Sequence, residues 1–75
     1  MNGDRIDLSL TKAEALVLFE WLSNLDASMS APPEGSPEQK VLWQVEALLE
    51  RVLPEPLDPK YLELLEQARR TVLST

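Results

Sequence analysis

Carboxylates are the only abundant side chains in this chain that could perform chemistry. Of its 75 residues 13 are Asp or Glu, and there is no histidine and no cysteine. Two acidic pairs, Glu46 with Glu50 and Glu63 with Glu66, have the spacing that places both members on one face of a helix. Paired carboxylates can bind a hard cation, but helical bundles that do so usually add histidines from Glu-x-x-His motifs. The pairs are therefore interpreted as solvated faces, and neither a metal site nor a cofactor is predicted.

Covalent and phosphate chemistry are also disfavoured by the residue types. Without histidine or cysteine, no Ser-His or Cys-His pair can form, and no glycine-rich phosphate loop, dinucleotide motif or EF-hand spacing is present. A chain of this length leaves little room for a substrate pocket of about 300 Å³ beside an intact core. The sequence therefore predicts a protein that is not an enzyme.

The charge is negative and unevenly distributed. The net charge is −6, and residues 13–59 hold nine acidic side chains against two basic ones. Binding to nucleic acid depends on basic groups that neutralise phosphates, so direct nucleic-acid binding is not expected. An acidic surface favours a basic partner, although maintaining solubility is the simplest explanation of such charge.

Three helix-start signals predict an all-α fold, a three-helix bundle in a single domain of residues 1–75. A capping hydroxyl or carboxylate accepts hydrogen bonds from the free amides of a first helical turn, and a proline is tolerated at its first position. The signals are Thr11 with Glu14, Ser36 with Gln39, and Asp58 followed by Pro59. The predicted helices cover residues 12–26, 37–53 and 59–73.

A short strand or extended arm is predicted before the bundle. Apolar and polar side chains alternate over residues 5–10, which places Ile6 and Leu8 on one side of an extended segment. No later segment looks like a partner strand. The segment is therefore expected either to cover its own helices or to pair with a second copy across a two-fold axis.

Helical periodicity predicts which side chains of the first helix form the core. Its main apolar face comprises Ala15, Leu18, Phe19, Leu22 and Leu25. Leu16 and Val17 point elsewhere, so they are expected to contact the N-terminal arm or a second chain.

The second helix has a predicted core face and an unusual opposite side. Its core residues would be Val41, Val45, Leu48, Leu49 and Val52, and Leu48→Ala would cost about 2–5 kcal/mol if Leu48 were fully buried. Trp43 and Ala47 lie on the other side among charged residues. Tryptophan is enriched at interface hot spots, so this side is a candidate contact surface.

The third helix and the connection before it are predicted from prolines and periodicity. Pro54, Pro56 and Pro59 predict a stiff corner with Leu57 packed beneath it. The expected core face of the third helix is Tyr61, Leu65, Ala68 and Val72.

Two hypotheses for function follow from these features. The first is a small acidic, helical protein-interaction module that forms a homodimer. The second is an acidic inhibitor or antidote that covers the basic surface of a nuclease or nucleic-acid-binding protein. The candidate interface residues are Ile6, Leu8, Leu16, Val17, Trp43, Ala47, Glu46 and Glu50.

The expected compartment is the cytoplasm. The N-terminus lacks the basic and apolar regions of a signal peptide. The longest apolar run falls well short of the roughly 20 residues that span a bilayer, so no membrane contact is predicted.

Overall fold

The computed structural model describes residues 3–74 and confirms the all-α prediction. Three α-helices form the bundle, and the described residues contain no strand. They are α1 (Lys12–Asp26), α2 (Pro37–Val52) and α3 (Tyr61–Leu73), with a short 3-10 helix at Glu55–Leu57 between α2 and α3. No helix within residues 3–74 is both long and apolar enough to cross a bilayer.

The capping box at the start of α1 is complete. The Glu14 amide donates to Thr11 Oγ1 over 3.1 Å, and the Thr11 amide donates to Glu14 Oε1 over 2.8 Å. Two amides that the first helical turn leaves without partners are thus satisfied reciprocally. The box fixes the first residue of α1 where the sequence predicts it.

We expect Thr11→Ala to destabilise the protein by about 0.5–2 kcal/mol, because the Glu14 amide loses its acceptor. Urea unfolding followed by circular dichroism measures this change. Thr11→Ser is the matched control, since it keeps the hydroxyl and should stay close to the wild type. Equal stability of all three proteins would contradict the role of the box.

The box predicted for α2 is only half formed. The Gln39 amide donates to Ser36 Oγ over 3.1 Å as expected, but Gln39 Oε1 accepts from the Gly35 amide over 2.8 Å. The Ser36 amide is already satisfied, because it donates to the Pro33 carbonyl over 3.1 Å. Gly35 has a φ of +80°, a conformation that glycine adopts at little cost.

The third helix begins two residues later than predicted. Asp58 Oδ1 accepts from the Lys60 amide over 2.8 Å, which is a capping contact, but the Tyr61 amide donates to the Asp58 carbonyl three residues back. The segment from Asp58 to Tyr61 is therefore a tight turn of 3-10 type that leads into α3. Asp58 stabilises the turn instead of the first turn of the α-helix.

The first helix lies between the other two. Ser23 Oγ donates to Glu46 Oε2 over 3.3 Å, and Trp43 Nε1 donates to Asp26 Oδ1 over 3.1 Å. The C-terminal end of α1 is thus beside the N-terminal half of α2, which makes the two helices antiparallel. By contrast, α2 and α3 share few direct contacts.

The third helix is also antiparallel to α1. Tyr61 at the start of α3 donates its hydroxyl to Glu20 Oε1 over 2.8 Å, whereas Ala68 lies beside Ala13 and Leu16 near the start of α1. Burial and the neighbouring Glu20 carboxylate raise the pKa of Tyr61 to about 12, so the hydroxyl stays protonated as a donor.

Packing on both sides of α1 explains why Leu16 is not at an interface. Leu16 is only 4 % exposed, and Val17 is half-buried against the same core. The expectation that these two residues meet the arm or a second chain is therefore wrong for Leu16. The buried apolar residues are Ala15, Leu16, Leu42, Leu49, Leu53, Leu65 and Ala68.

The predicted core face of α2 is partly wrong. Leu49 is buried and Val45 half-buried, but Leu48 is 59 % exposed, and Val41 and Val52 are exposed too. Because α2 has essentially one neighbour, only the arc that faces α1 is covered. In a single copy, Leu48→Ala should therefore cost less than about 1 kcal/mol of folding free energy, well below the value expected for a buried leucine.

Leu57 is exposed, so the prediction that it packs beneath the proline corner is also wrong. The Leu57 amide donates to the Pro54 carbonyl, and this turn directs the side chain outward. The corner is attached to the bundle through a charge contact instead. Lys12 Nζ lies 2.9 Å from Glu55 Oε2, at the start of α1.

The N-terminal segment makes neither a strand nor an arm over the helices within this chain. Residues 4–10 have no regular secondary structure, and Ile6 and Leu8 are 88 % and 83 % exposed. The expectation that they cover the core is therefore wrong. Pairing between two copies stays a prediction.

Candidate interaction surface

An uncovered apolar stripe runs along α2. We call it the α2 stripe and define it as Val41, Val45, Leu48 and Val52. Val45 is half-buried, and the other three side chains are exposed. Their spacings of four, three and four residues are those of a coiled-coil seam, in which apolar side chains of one helix pack against another helix. Within residues 3–74, Val45 packs against the edge of the core, whereas Val41, Leu48 and Val52 remain largely uncovered.

The stripe continues into a groove between α1 and α2. The α1–α2 groove has a volume of about 510 Å³ and lies near the loop that joins the two helices. It is lined by Leu18, Leu22, Leu25, Pro32, Pro37, Glu38, Val41, Leu42 and Val45. Glu38 is the single charged residue among them. Since Val41 and Val45 belong to both features, the stripe and the groove form one continuous apolar surface.

Such a surface is the kind of feature that marks an interaction site. Isolated exposed apolar side chains are common on proteins, but contiguous apolar patches usually bind another macromolecule or a ligand. The groove is open along its length and contains no convergent polar groups. It therefore fits an extended apolar surface of another chain better than it fits a small polar substrate.

Trp43 lies on the opposite side of α2 from the stripe. Trp43 is about half exposed, and its Nε1 donates to both carboxylate oxygens of Asp26 over 3.1 and 3.2 Å. Ala47, one turn further on, is exposed and lines the same shallow surface. The candidate residues Trp43 and Ala47 are thus adjacent, but they form a surface separate from the α2 stripe.

The two acidic candidates differ in their surroundings. Glu50 is exposed, whereas Glu46 is half-buried between α1 and α2 beside Ser23 and Asp26. Burial raises the pKa of Glu46, and the nearby negative charge of Asp26 adds to this effect. Only Glu50 of the pair is freely available to a partner.

We expect Glu46→Gln to stabilise the protein at neutral pH by less than about 1 kcal/mol, since water screens a half-exposed charge. The raised pKa means that the folded state binds a proton more tightly than the unfolded chain. The contribution of Glu46 to stability therefore falls as pH rises through that raised pKa. Below about pH 4.5, the ordinary pKa of Glu, the variant and the wild type should be equally stable.

Thermal unfolding at a series of pH values measures this difference. Glu66→Gln is the matched control, because it removes the same charge from a side chain that is exposed on α3. If Glu66→Gln stabilised the protein as much as Glu46→Gln, the effect would come from the lower net charge. That result would contradict the explanation from the burial of Glu46 beside Asp26.

The acidic pairs do not assemble into a metal site in the described part of the chain. Within residues 3–74 no group of three or more Asp and Glu side chains is placed to hold an ion. Glu63 and Glu66 lie exposed on α3, away from Glu46 and Glu50.

Helical periodicity predicts a core position for part of the groove lining. Leu18, Leu22 and Leu25 do lie on the predicted apolar face of α1, but they are only half-buried and line the open groove. The available signal was the amount of apolar surface on α1 and α2, which exceeds what three short helices can cover.

Comparison of the chain with protein-family models, with curated proteins and with solved structures finds no match.

Proposed function

We propose that this protein is a non-catalytic protein-interaction module that forms a symmetric homodimer through the α2 stripe. The observation that carries the proposal is the exposure of Val41, Leu48 and Val52 in a row on a helix whose neighbouring arc is buried. Because these apolar side chains follow a regular seam, they can be covered together by one further helix.

A second copy of α2 is the covering helix that the stripe fits best. The spacings of four, three and four residues read the same in both directions. Two antiparallel copies therefore place Leu48 opposite Val45, and Val41 opposite Val52, around a two-fold axis. A two-fold contact uses the same surface on both subunits, so a self-complementary stripe is what it requires.

Charge favours the antiparallel arrangement over the parallel one. Glu38 lies in the first turn of α2 and Arg51 in the last turn. Parallel pairing would bring the two Glu38 side chains together, which like-charge repulsion disfavours. In the antiparallel pair the two Glu38 side chains lie at opposite ends of the helix pair, each at the end that carries Arg51 of the other copy, and the two helix dipoles are aligned favourably.

Dimer formation would also compensate for the small core. A single core in a domain of this size rarely contributes more than about 3–5 kcal/mol of net stability. Here seven apolar residues are buried in the described chain, and no disulfide can form. Removing the apolar stripe from water in a dimer adds roughly 25 cal/mol for each Å² buried.

Sedimentation equilibrium over a range of concentrations tests the proposal. We expect the mass to approach twice the 8.5 kDa of one chain as the concentration rises. Because the contact is apolar, added salt should not dissociate the dimer. A mass of 8.5 kDa at every concentration would contradict the proposal.

The acidic-inhibitor hypothesis has weaker support. Of its two candidate contact residues, Glu46 is half-buried and already accepts a hydrogen bond from Ser23. The α1–α2 groove is apolar and holds a single carboxylate, so it is not a surface that a basic partner would select.

A further inference from the structure

The N-terminal segment presents an apolar edge that nothing in its own chain covers. Ile6, Leu8 and Leu10 alternate with polar residues, and all three side chains are exposed. In an extended conformation they lie on one side and span about 13 Å. A row of this kind is suited to a shallow apolar groove, with the polar side chains left in water.

The α1–α2 groove has the matching dimensions. Its α1 wall extends from Leu18 to Leu25, which is about 10 Å along the helix axis. Its lining is apolar except for Glu38, just as the side of the segment that carries Ile6, Leu8 and Leu10 is apolar. The groove and the segment therefore agree in length and in apolar character.

The segment is poorly placed to fill the groove of its own chain. It joins α1 at Thr11, whereas Leu25 in the groove lies about 21 Å further along the same helix. To reach Leu25 the segment would have to reverse direction and run along α1. The exposure of Ile6 and Leu8 shows that it does not do so in this structure.

The antiparallel dimer brings the segment of a second copy to the groove. The contact between Lys12 and Glu55 places the start of α1 beside the C-terminal end of α2. In the antiparallel pair, that end of α2 lies next to the N-terminal end of α2 in the other copy. The groove opens there, at Pro37 and Glu38.

We propose that the N-terminal segment of each copy lies in the α1–α2 groove of the other copy. Ile6, Leu8 and Leu10 would contact the leucines of α1 and Val41. This inference rests on the proposed homodimer and deepens it, because the exchange adds two identical contacts that are related by the same two-fold axis.

Disulfide trapping between two different variants tests the exchange. The chain has no cysteine, so each introduced thiol is the only one in its copy. Leu8→Cys is mixed with Leu25→Cys, one of them carrying a mass tag, and the mixed disulfide is measured after mild oxidation. Ser9→Cys replaces Leu8→Cys in the control, because position 9 faces away from the groove when position 8 faces into it.

We expect several-fold more mixed disulfide with Leu8→Cys than with Ser9→Cys. Circular dichroism checks that each variant is folded, and Pro32→Cys provides a second groove position outside the helices. Equal yields from Leu8→Cys and Ser9→Cys, or no mixed disulfide from either, would overturn the exchange.

Two further outcomes separate this inference from the proposed function. If the wild type is dimeric by mass but the trapping yields are equal, the segment exchange fails and the α2 contact stands. If the wild type is monomeric at every concentration, both fail. A chain that carries both Leu8→Cys and Leu25→Cys and closes an internal disulfide, in place of disulfides between copies, at a concentration where the wild type is dimeric would also overturn the exchange.

Discussion

Leu65→Ala is expected to unfold most of the protein at 25 °C. Leu65 is 2 % exposed and is the most completely buried large side chain in the described residues. Replacing a buried leucine by alanine costs about 2–5 kcal/mol, because apolar contacts are lost and a cavity remains. This cost is comparable to the roughly 3–5 kcal/mol that the core of so small a domain provides.

The measurement is urea unfolding followed by far-ultraviolet circular dichroism. Leu62→Ala is the matched control, since Leu62 is on the same helix and is 75 % exposed. We expect it to change stability by less than about 0.5 kcal/mol. If Leu65→Ala were as stable as Leu62→Ala, α3 would not contribute to the core as the structure indicates.

Leu48→Asp is expected to convert the dimer to a monomer without unfolding it. Leu48 is at the centre of the α2 stripe, and its exposure in a single copy means that a charge there is hydrated. In the dimer the carboxylate would be buried against apolar side chains of the other copy. Because the dimer is symmetric, it would bury two such carboxylates. A cost of about 3 kcal/mol or more corresponds to a loss of affinity of at least about 100-fold.

Sedimentation equilibrium and circular dichroism together decide this prediction. Leu62→Asp is the control, because it adds the same charge at an exposed leucine on α3, away from the stripe. Leu48→Asp should retain helical content and sediment as a monomer, whereas Leu62→Asp should remain dimeric. A Leu48→Asp variant with wild-type mass would place the contact elsewhere, with the Trp43 side as the next candidate.

Local structure was largely predictable because it depends on neighbouring residues. The Thr11–Glu14 box requires only four consecutive residues, and the structure confirms both of its hydrogen bonds. The predicted bounds of α1 and nearly all of α2 are confirmed for the same reason. The late start of α3 shows where such local prediction fails. The Asp58 carboxylate can cap either a helix that begins at Pro59 or a tight turn that precedes the helix, and the residue pattern is the same for both.

The candidate surface was less predictable because it depends on which neighbours each helix has. Periodicity identifies Leu16 and Leu48 as apolar positions on their helices, but it does not say which of them is covered. Contact with both other helices buries Leu16, whereas Leu48 faces no other part of the described chain. The sequence pattern predicts the opposite for these two residues, with Leu16 at an interface and Leu48 in the core.

The sequence by itself determined the three helices, the capping residues of α1 and α2 and the acidic charge, because each of these follows from residue type and short-range spacing. Only the tertiary structure decided that α1 is the shared helix and that the α2 stripe is left open. Burial depends on how many helices surround a given arc, and that number is set by the path of the chain through space. The apolar surface on which the proposed function rests is a consequence of that path.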